Sequence, residues 1–489
     1  MDAGQSAAVA ALAGNRRLLV VEGAAGAGKT TTLAAARAVL DRQGHGLIVV
    51  TPTLKAAKVA AAEVGAAGGS AAWLAFQHGW RWGADGVWTR LAVGETDAVT
   101  GRAYSGPAEK ARLEAGDLLV IDETGMLDQD TARALLTVAD ECQVRVALIG
   151  DRHQLAAVGR GGVLDLAATQ VEPAAHLTLA GVRRFIRTDR TGRAAPDLEY
   201  ADLTLDMRTG EDPGAVFDAL AARDQIQLHH DGAALQASLA KAAVASFRGG
   251  EAVAVVADTR EQTASLNAAI RDQLVADQLV DDSRVVTTLA GQRIGAGDRI
   301  ATRRNDPDLE VANRDTWTVI AVDQRGGLSV TPAHVTPPTV AVHGDVTPAV
   351  ARERALPADY VARYVELGYA STAHGVQGDT VSNAHVVVGE HTGAAAAYVG
   401  MTRGRWSNTA HLIAEDLTDA REQWITVFTR DRADLGPAHA GRLAAAEAAR
   451  YAQGQSAERA PTEVGGGIRP PAPETYRAPR CAAGAQVRR

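Results

Sequence analysis

The chain is nearly without cysteine. Cys142 and Cys481 are the two in 489 residues, which excludes a disulfide framework or a cysteine-built metal cluster. Long apolar runs are missing too, since none approaches the roughly 18 residues of a membrane span. The opening MDAGQSAAVA has no basic stretch leading into an apolar one, so a secretory signal is not expected and a cytoplasmic location is. Lysine is scarce: Lys29, Lys55, Lys58, Lys110 and Lys241 are the five. Net charge is −8, from 50 basic and 58 acidic residues, so no strongly basic nucleic-acid domain stands out. A local basic groove is still compatible with that balance, because phosphate contacts act over about 8–10 Å. The abundance of Ala, Gly and Arg matches a GC-rich coding sequence. Arginine number is therefore weak evidence, and each lysine weighs more.

What is present is an alternation of buried strands and helices. A chain of 489 residues is too long for one core, and about two to four domains are expected. RLLVVE (17–22), GLIVVTP (46–52), DLLVIDE (117–123) and VRVALIGD (144–151) are short apolar runs ending in polar residues, with helical patterns between them. That order predicts an α/β fold with parallel sheets whose polar strand ends line a ligand crevice. EAVAVVAD (251–258) and HVVVGE (385–390) repeat the pattern in the second half. WLAFQHGWRWGADGVW interrupts it with Trp73, Trp80, Trp82 and Trp88. These read as a small satellite core within an insert at about 70–116, with one Trp left to face a nucleic acid by stacking. Short strand candidates across 285–345 predict a small all-β insert. Past about 435 an Ala-rich helix gives way to a Pro-, Gly- and charge-rich tail, expected to be disordered.

Gly23-Ala-Ala-Gly26-Ala-Gly28-Lys29-Thr30-Thr31 contains G-x-x-x-x-G-K-[ST] between a strand and a helix. In such a loop backbone N–H groups cradle phosphates. Lys29 is expected on the β/γ-phosphates and the Thr30 hydroxyl on Mg²⁺, which makes ATP and Mg²⁺ the expected ligands. Asp122 and Glu123 close the third strand. One carboxylate there suits the metal, and its neighbour suits a general base acting on water. Gln154, in GDRHQLAAVGRGG (150–162), is a neutral hydrogen-bonding group for the γ-phosphate region.

DETGM followed by GDRHQLAAVGRGG resembles motifs II and III of superfamily 1 DNA helicases, most nearly the RecD-like and TraI-like 1B branch. The resemblance extends in order over about residues 1–430. It implies two RecA-like P-loop domains, 1–175 and 176–430, the second with an SH3-like insert at 285–345, and then the segment 431–489. Gln5 resembles the adenine-reading glutamine. VVTPTLKAAK (49–58) resembles motif Ia, with Thr53 and Lys55 toward a single strand. LTLAGVRRF (177–185) resembles motif IV, implying that Arg184 meets the γ-phosphate. STAHGVQGDT (371–380) resembles motif V, with His374 and Gln377 toward DNA. AYVGMTRGR (397–405) resembles motif VI, implying an arginine finger at Arg403. One departure is Gly375, where the family usually has lysine. It removes a cation from the DNA-facing loop.

The wording of HGWRWGADGVWTRL and YASTAHGVQGDT is similar to the helicase part of actinobacterial MobF (TraI/TrwC) conjugative relaxases. The nicking domain of those proteins has no room before Gln5, so nicking activity is not expected and a separate relaxase and conjugation machinery are the expected partners. The implied function is an ATP-driven single-stranded DNA translocase or helicase of 5′→3′ polarity. Two alternatives stay open: an ATPase-inactive helicase-fold DNA-binding module or fragment of a split relaxase, and a P-loop ATPase acting on something other than DNA.

Overall fold

The computed structural model describes residues 1–430 apart from residues 84, 99, 158, 190 and 334–352, together with five residues between 440 and 448. The tail expected to be disordered lies almost wholly outside the described residues.

Two parallel sheets organise the chain. Across the first, the strand order is Ala67–Ser70, Leu47–Thr51, Leu118–Ile121, Arg145–Gly150, Leu18–Gly23 and His176–Leu179. Leu47–Thr51, Leu118–Ile121 and Arg145–Gly150 are buried at every position. They read as unbroken apolar runs because helices cover both faces. The second sheet runs Ile226–His229, Gly404–Ile413, Val381–Val387, Val253–Ala257 and Ala370–Thr372, again all parallel. The α/β class with parallel sheets read from the sequence holds. Both sheets belong to one unit, Met1–Ala440. A single apolar cluster joins Ala24 and Ala25 of the glycine-rich loop to Tyr398, Val399 and Met401 beside the second sheet.

The helix Lys29–Gln43 leaves the first strand through Gly28 (φ +81°) and stops at Gly44 (φ +77°). Both positions are left-handed, where a Cβ is disfavoured. Between the first-sheet strands Ala67–Ser70 and Leu118–Ile121 in sequence, Trp80–Trp82 pairs antiparallel with Trp88–Arg90. Trp73, Trp80 and Trp88 pack on the first sheet's core. Trp82 stacks on Trp88 at 4.6 Å and is 40% exposed. The Arg81–Asp97 pair, at 2.8 Å, fastens this hairpin from below.

The small antiparallel sheet is ordered Arg354–Leu356, Leu328–Pro332, Thr316–Val322, Arg299–Thr302 and Val365–Leu367. Its strands continue beyond residue 345, and the last returns the chain directly into Ala370–Thr372. Ile300, Trp317, Val319 and Val330 join the apolar cluster of the second sheet's helices, so the small sheet packs onto that sheet's outer layer.

Three histidines cross the second sheet on adjacent strands. His229 Nε2 lies 3.0 Å from His411 Nδ1, and His411 Nε2 lies 3.0 Å from His385 Nδ1. Burial, then the two neighbouring rings, pushes the His411 pKa down to about 3. Among the described residues no helix is long and apolar enough to cross a membrane.

Candidate functional site

The glycine-rich loop opens onto a cavity of about 470 Å³ lined from both sheets. Gly26 (φ +82°) and Gly28 (φ +81°) give the loop its shape. A Cβ on Gly26 would stand 2.5 Å from the Arg184 side chain, and one on Gly28 would stand 2.3 Å from Gln5 Nε2. Both glycines thus admit side chains that later serve the same cavity. The Lys29 ammonium donates to Gly23 O at 2.7 Å and Ala24 O at 3.4 Å. Thr30 and Thr31, in the helix's first turn, line the cavity beside it.

Asp122 and Glu123 sit where the strand Leu118–Ile121 ends. Burial, then the Glu123 charge, pushes the Asp122 pKa up to about 6, with Lys29 opposing. One of its oxygens accepts from Glu123 N at 2.9 Å. Glu123 itself has φ +53°, a left-handed setting that costs a non-glycine residue about 1 kcal/mol or more and is typical of functional turns. A desolvated carboxylate next to a threonine hydroxyl suits Mg²⁺, which needs only one or two protein oxygens because phosphates and waters complete its shell. Among the described residues no group of three His, Cys, Asp or Glu is placed to hold a metal.

Arg184, beside Gly26 of the loop, and Arg403, from the segment leading into the second sheet, both line the cavity. Arg184 Nη1 donates to Thr402 O at 2.7 Å. Arg403 donates from Nε to Val399 O at 2.8 Å and from Nη2 to Thr402 Oγ1 at 2.9 Å. Among the described residues both guanidiniums bond to carbonyl and hydroxyl oxygens rather than to carboxylates. Burial, then the Arg403 charge, pulls the Arg184 pKa down to about 9. Burial likewise lowers that of Arg403. Two desolvated cations side by side make this wall electropositive and suited to an anion.

Gln154 and Gln377 meet in the same cavity. Gln377 Nε2 lies 3.4 Å from Glu123 Oε2 and 3.5 Å from Gln154 Oε1, and Gln377 Oε1 is buried with no hydrogen-bond partner among the described residues. Gln377, expected toward DNA, therefore faces the phosphate-binding side. Gln5 lies beside the loop in the helix Ala3–Leu12. Its Oε1 accepts from Asp2 N at 3.1 Å and its Nε2 donates to Ala27 O at 3.4 Å. The first of these bonds belongs to a capping box with Asp2.

Of the remaining expected residues, Lys55 lines the same cavity, while Thr53 and His374 are not among its lining residues. Thr53 caps the helix Leu54–Val64, its hydroxyl accepting from Ala56 N at 3.2 Å. Lys55 pairs with Asp379 at 2.7 Å and Lys58 with Asp315 at 3.1 Å, bridging this helix to the segments around motif V and the small sheet. His374 is exposed. Desolvation, then the charges of Arg314 and Arg260, lowers its pKa.

Tyr398 was not singled out in the sequence. Its buried hydroxyl accepts from Ala25 N in the glycine-rich loop at 3.1 Å and donates to Asp151 at 3.1 Å. Asp151 is also held by Arg208 Nε at 2.9 Å. Glu22, under the loop, meets Arg152 and His176. The signal for Tyr398 was available, since it stands within AYVGMTRGR five residues before Arg403.

A family model described as an AAA domain matches residues 1–231. A conjugal transfer protein TraA of Rhizobium radiobacter is 24% identical over 407 residues, covering 82% of this chain and 31% of that protein. The chain thus spans about a third of the length of such curated relatives. An uncharacterised protein of Mycobacterium tuberculosis is 39% identical over 125 residues, 24% of this chain and 63% of that protein. Among solved structures, the Pif1 helicase of Candida albicans superposes with a TM-score of 0.51 at 16% identity, covering 86% of this chain and 96% of that one. At that identity the likeness is one of fold.

Proposed function

We propose that the chain is an ATP-hydrolysing motor on single-stranded DNA, a translocase or helicase of 5′→3′ polarity and conjugative-transfer type. The observation that carries this reading is the shared cavity. The glycine-rich loop, Asp122, Glu123 and Gln154 line it from one sheet, and Gln377 and Arg403 from the other. Arg184, in the segment between the two, lines it as well. In this reading Gln5 meets the adenine edge. The N–H groups of the loop Gly23 to Gly28 hold the phosphates. Lys29 neutralises their outer oxygens. Thr30 and Asp122 would hold Mg²⁺, which when bound offsets phosphate charge and orients the γ-phosphate. Glu123 takes the proton of the attacking water, Gln154 orients that water, and Arg184 with Arg403 stabilises the charge that grows on the transferred group.

In this reading hydrolysis is coupled to movement through the shared cavity. The arginines act only while both sheets close on one nucleotide, so loss of the γ-phosphate removes the anion between them. Gln377, on the motif V segment, contacts Glu123 and Gln154 and would report that loss to Thr53, Lys55 and His374, the residues proposed to meet the strand. A separate relaxase and conjugation machinery are the proposed partners, in keeping with the TraA likeness. Magnesium-dependent ATP hydrolysis should rise several-fold with single-stranded DNA and vanish in Lys29→Ala. Hydrolysis indifferent to DNA would leave a P-loop ATPase with another substrate. DNA binding without hydrolysis would leave the inactive helicase-fold module.

A further inference from the structure

Arg314 stands at a turn position suited to glycine, with φ +69°. Asp315 N closes this turn onto Ala312 O at 3.1 Å. The turn is fastened to the helix Leu54–Val64, because Lys58 reaches Asp315 at 3.1 Å and Glu310 O at 3.4 Å. On its other side it abuts motif V. A Cβ on Gly375 would lie 2.8 Å from Arg314 Nη1 and 1.9 Å from Ser371 Oγ. The guanidinium therefore fills the space beside Gly375.

The surroundings of Arg314 are poor in negative charge. Its Nη1 is buried with no hydrogen-bond partner among the described residues. Burial, then Arg303, with Arg260 adding, pulls its pKa below the usual value, and Glu366 alone opposes. That carboxylate already accepts from Arg303 Nη1 at 3.0 Å. Arg260 begins the helix Arg260–Ala276, whose amino end is itself electropositive. An unmatched cationic donor is costly unless an anion visits it.

We propose that Arg314, carried by the small β-sheet beside Gly375, supplies a phosphate-binding cation, gripping a backbone phosphate of the single strand between the helix Leu54–Val64 and motif V. The assignment rests on the single-stranded DNA reading above. Arg314→Gly removes the cation while suiting the turn, so the full chain should melt no lower than wild type. Binding of labelled oligo-deoxythymidine is measured by anisotropy across a salt series. Arg314→Gly should weaken it about 5- to 10-fold at moderate salt, and the slope of log K against log salt should fall by about 0.7, one single-strand phosphate contact. Arg314→Lys should restore most of that slope. Unchanged affinity overturns the proposal, as does weaker binding with an unchanged slope, which would make Arg314 a packing residue. Wild-type chain that binds no oligonucleotide would overturn the single-strand reading itself, and this proposal with it.

Discussion

Acidification should weaken the second sheet through His411, by an amount the structure sets. The residue is 2% exposed, and burial with its two histidine neighbours pushes its pKa down to about 3 from 6.5. The folded protein therefore keeps this ring neutral while the unfolded chain protonates it below about pH 6.5. Stability is full above that pH and declines as pH falls toward the folded pKa, because the unfolded state binds the extra proton. At about 1.4 kcal/mol per pH unit, the loss from this group between pH 7.5 and 5.0 is ~2 kcal/mol. Urea unfolding at those two pH values, in wild type and His411→Asn, isolates it. The amide still offers a donor and an acceptor to His229 and His385 but cannot take up a proton. Wild type should lose ~2 kcal/mol more than the variant on acidification. Equal losses in both proteins would refute the reasoning, since the group responsible would then lie elsewhere.

Two further outcomes bear on the cavity. Arg403→Ala should keep ATP binding within a few-fold and reduce turnover by roughly 10³ or more. Unchanged single-turnover hydrolysis would remove the arginine-finger role. Tyr398→Phe deletes one hydroxyl that serves both Ala25 N and Asp151. It should lower unfolding free energy by about 2–3 kcal/mol, two buried hydrogen bonds with an amide left unsatisfied, and weaken ATP binding several-fold in calorimetry. A variant matching wild type in both would show that the loop holds its shape without this contact.

The strands at 17–22, 46–52, 117–123, 144–151, 251–258 and 385–390 were legible because each is an apolar run ended by polar residues, whereas Ala67–Ser70, His176–Leu179, Ile226–His229, Ala370–Thr372 and Gly404–Ile413 were not read. The loop was legible because its chemistry is local. Asp122 with Glu123 and the two arginines were found through their place in short motifs. What stayed hidden depends on contacts between distant segments. Tyr398 lies 373 residues from its partner Ala25, so although its motif could draw attention to it, nothing local names Ala25 as the partner. Gln377 was expected toward DNA because its motif was read as one surface, whereas the turn after the short helix Ala373–Val376 sends it to the cavity. The small sheet's later strands escaped because Arg354–Leu356 and Val365–Leu367 are each three residues long, too short for a period of two to emerge. Gly375 looked like a simple loss of charge until its packing was visible.

That packing also constrains how this sequence can change. Any side chain at position 375 must displace Ser371 Oγ, 1.9 Å from the would-be Cβ, as well as the Arg314 guanidinium. A side chain at position 375 therefore has room only after the Ser371 hydroxyl has turned to another rotamer and the Arg314 guanidinium has swung aside. Positions 314, 371 and 375 are coupled by this packing, so the effects of substitutions at the three should not add.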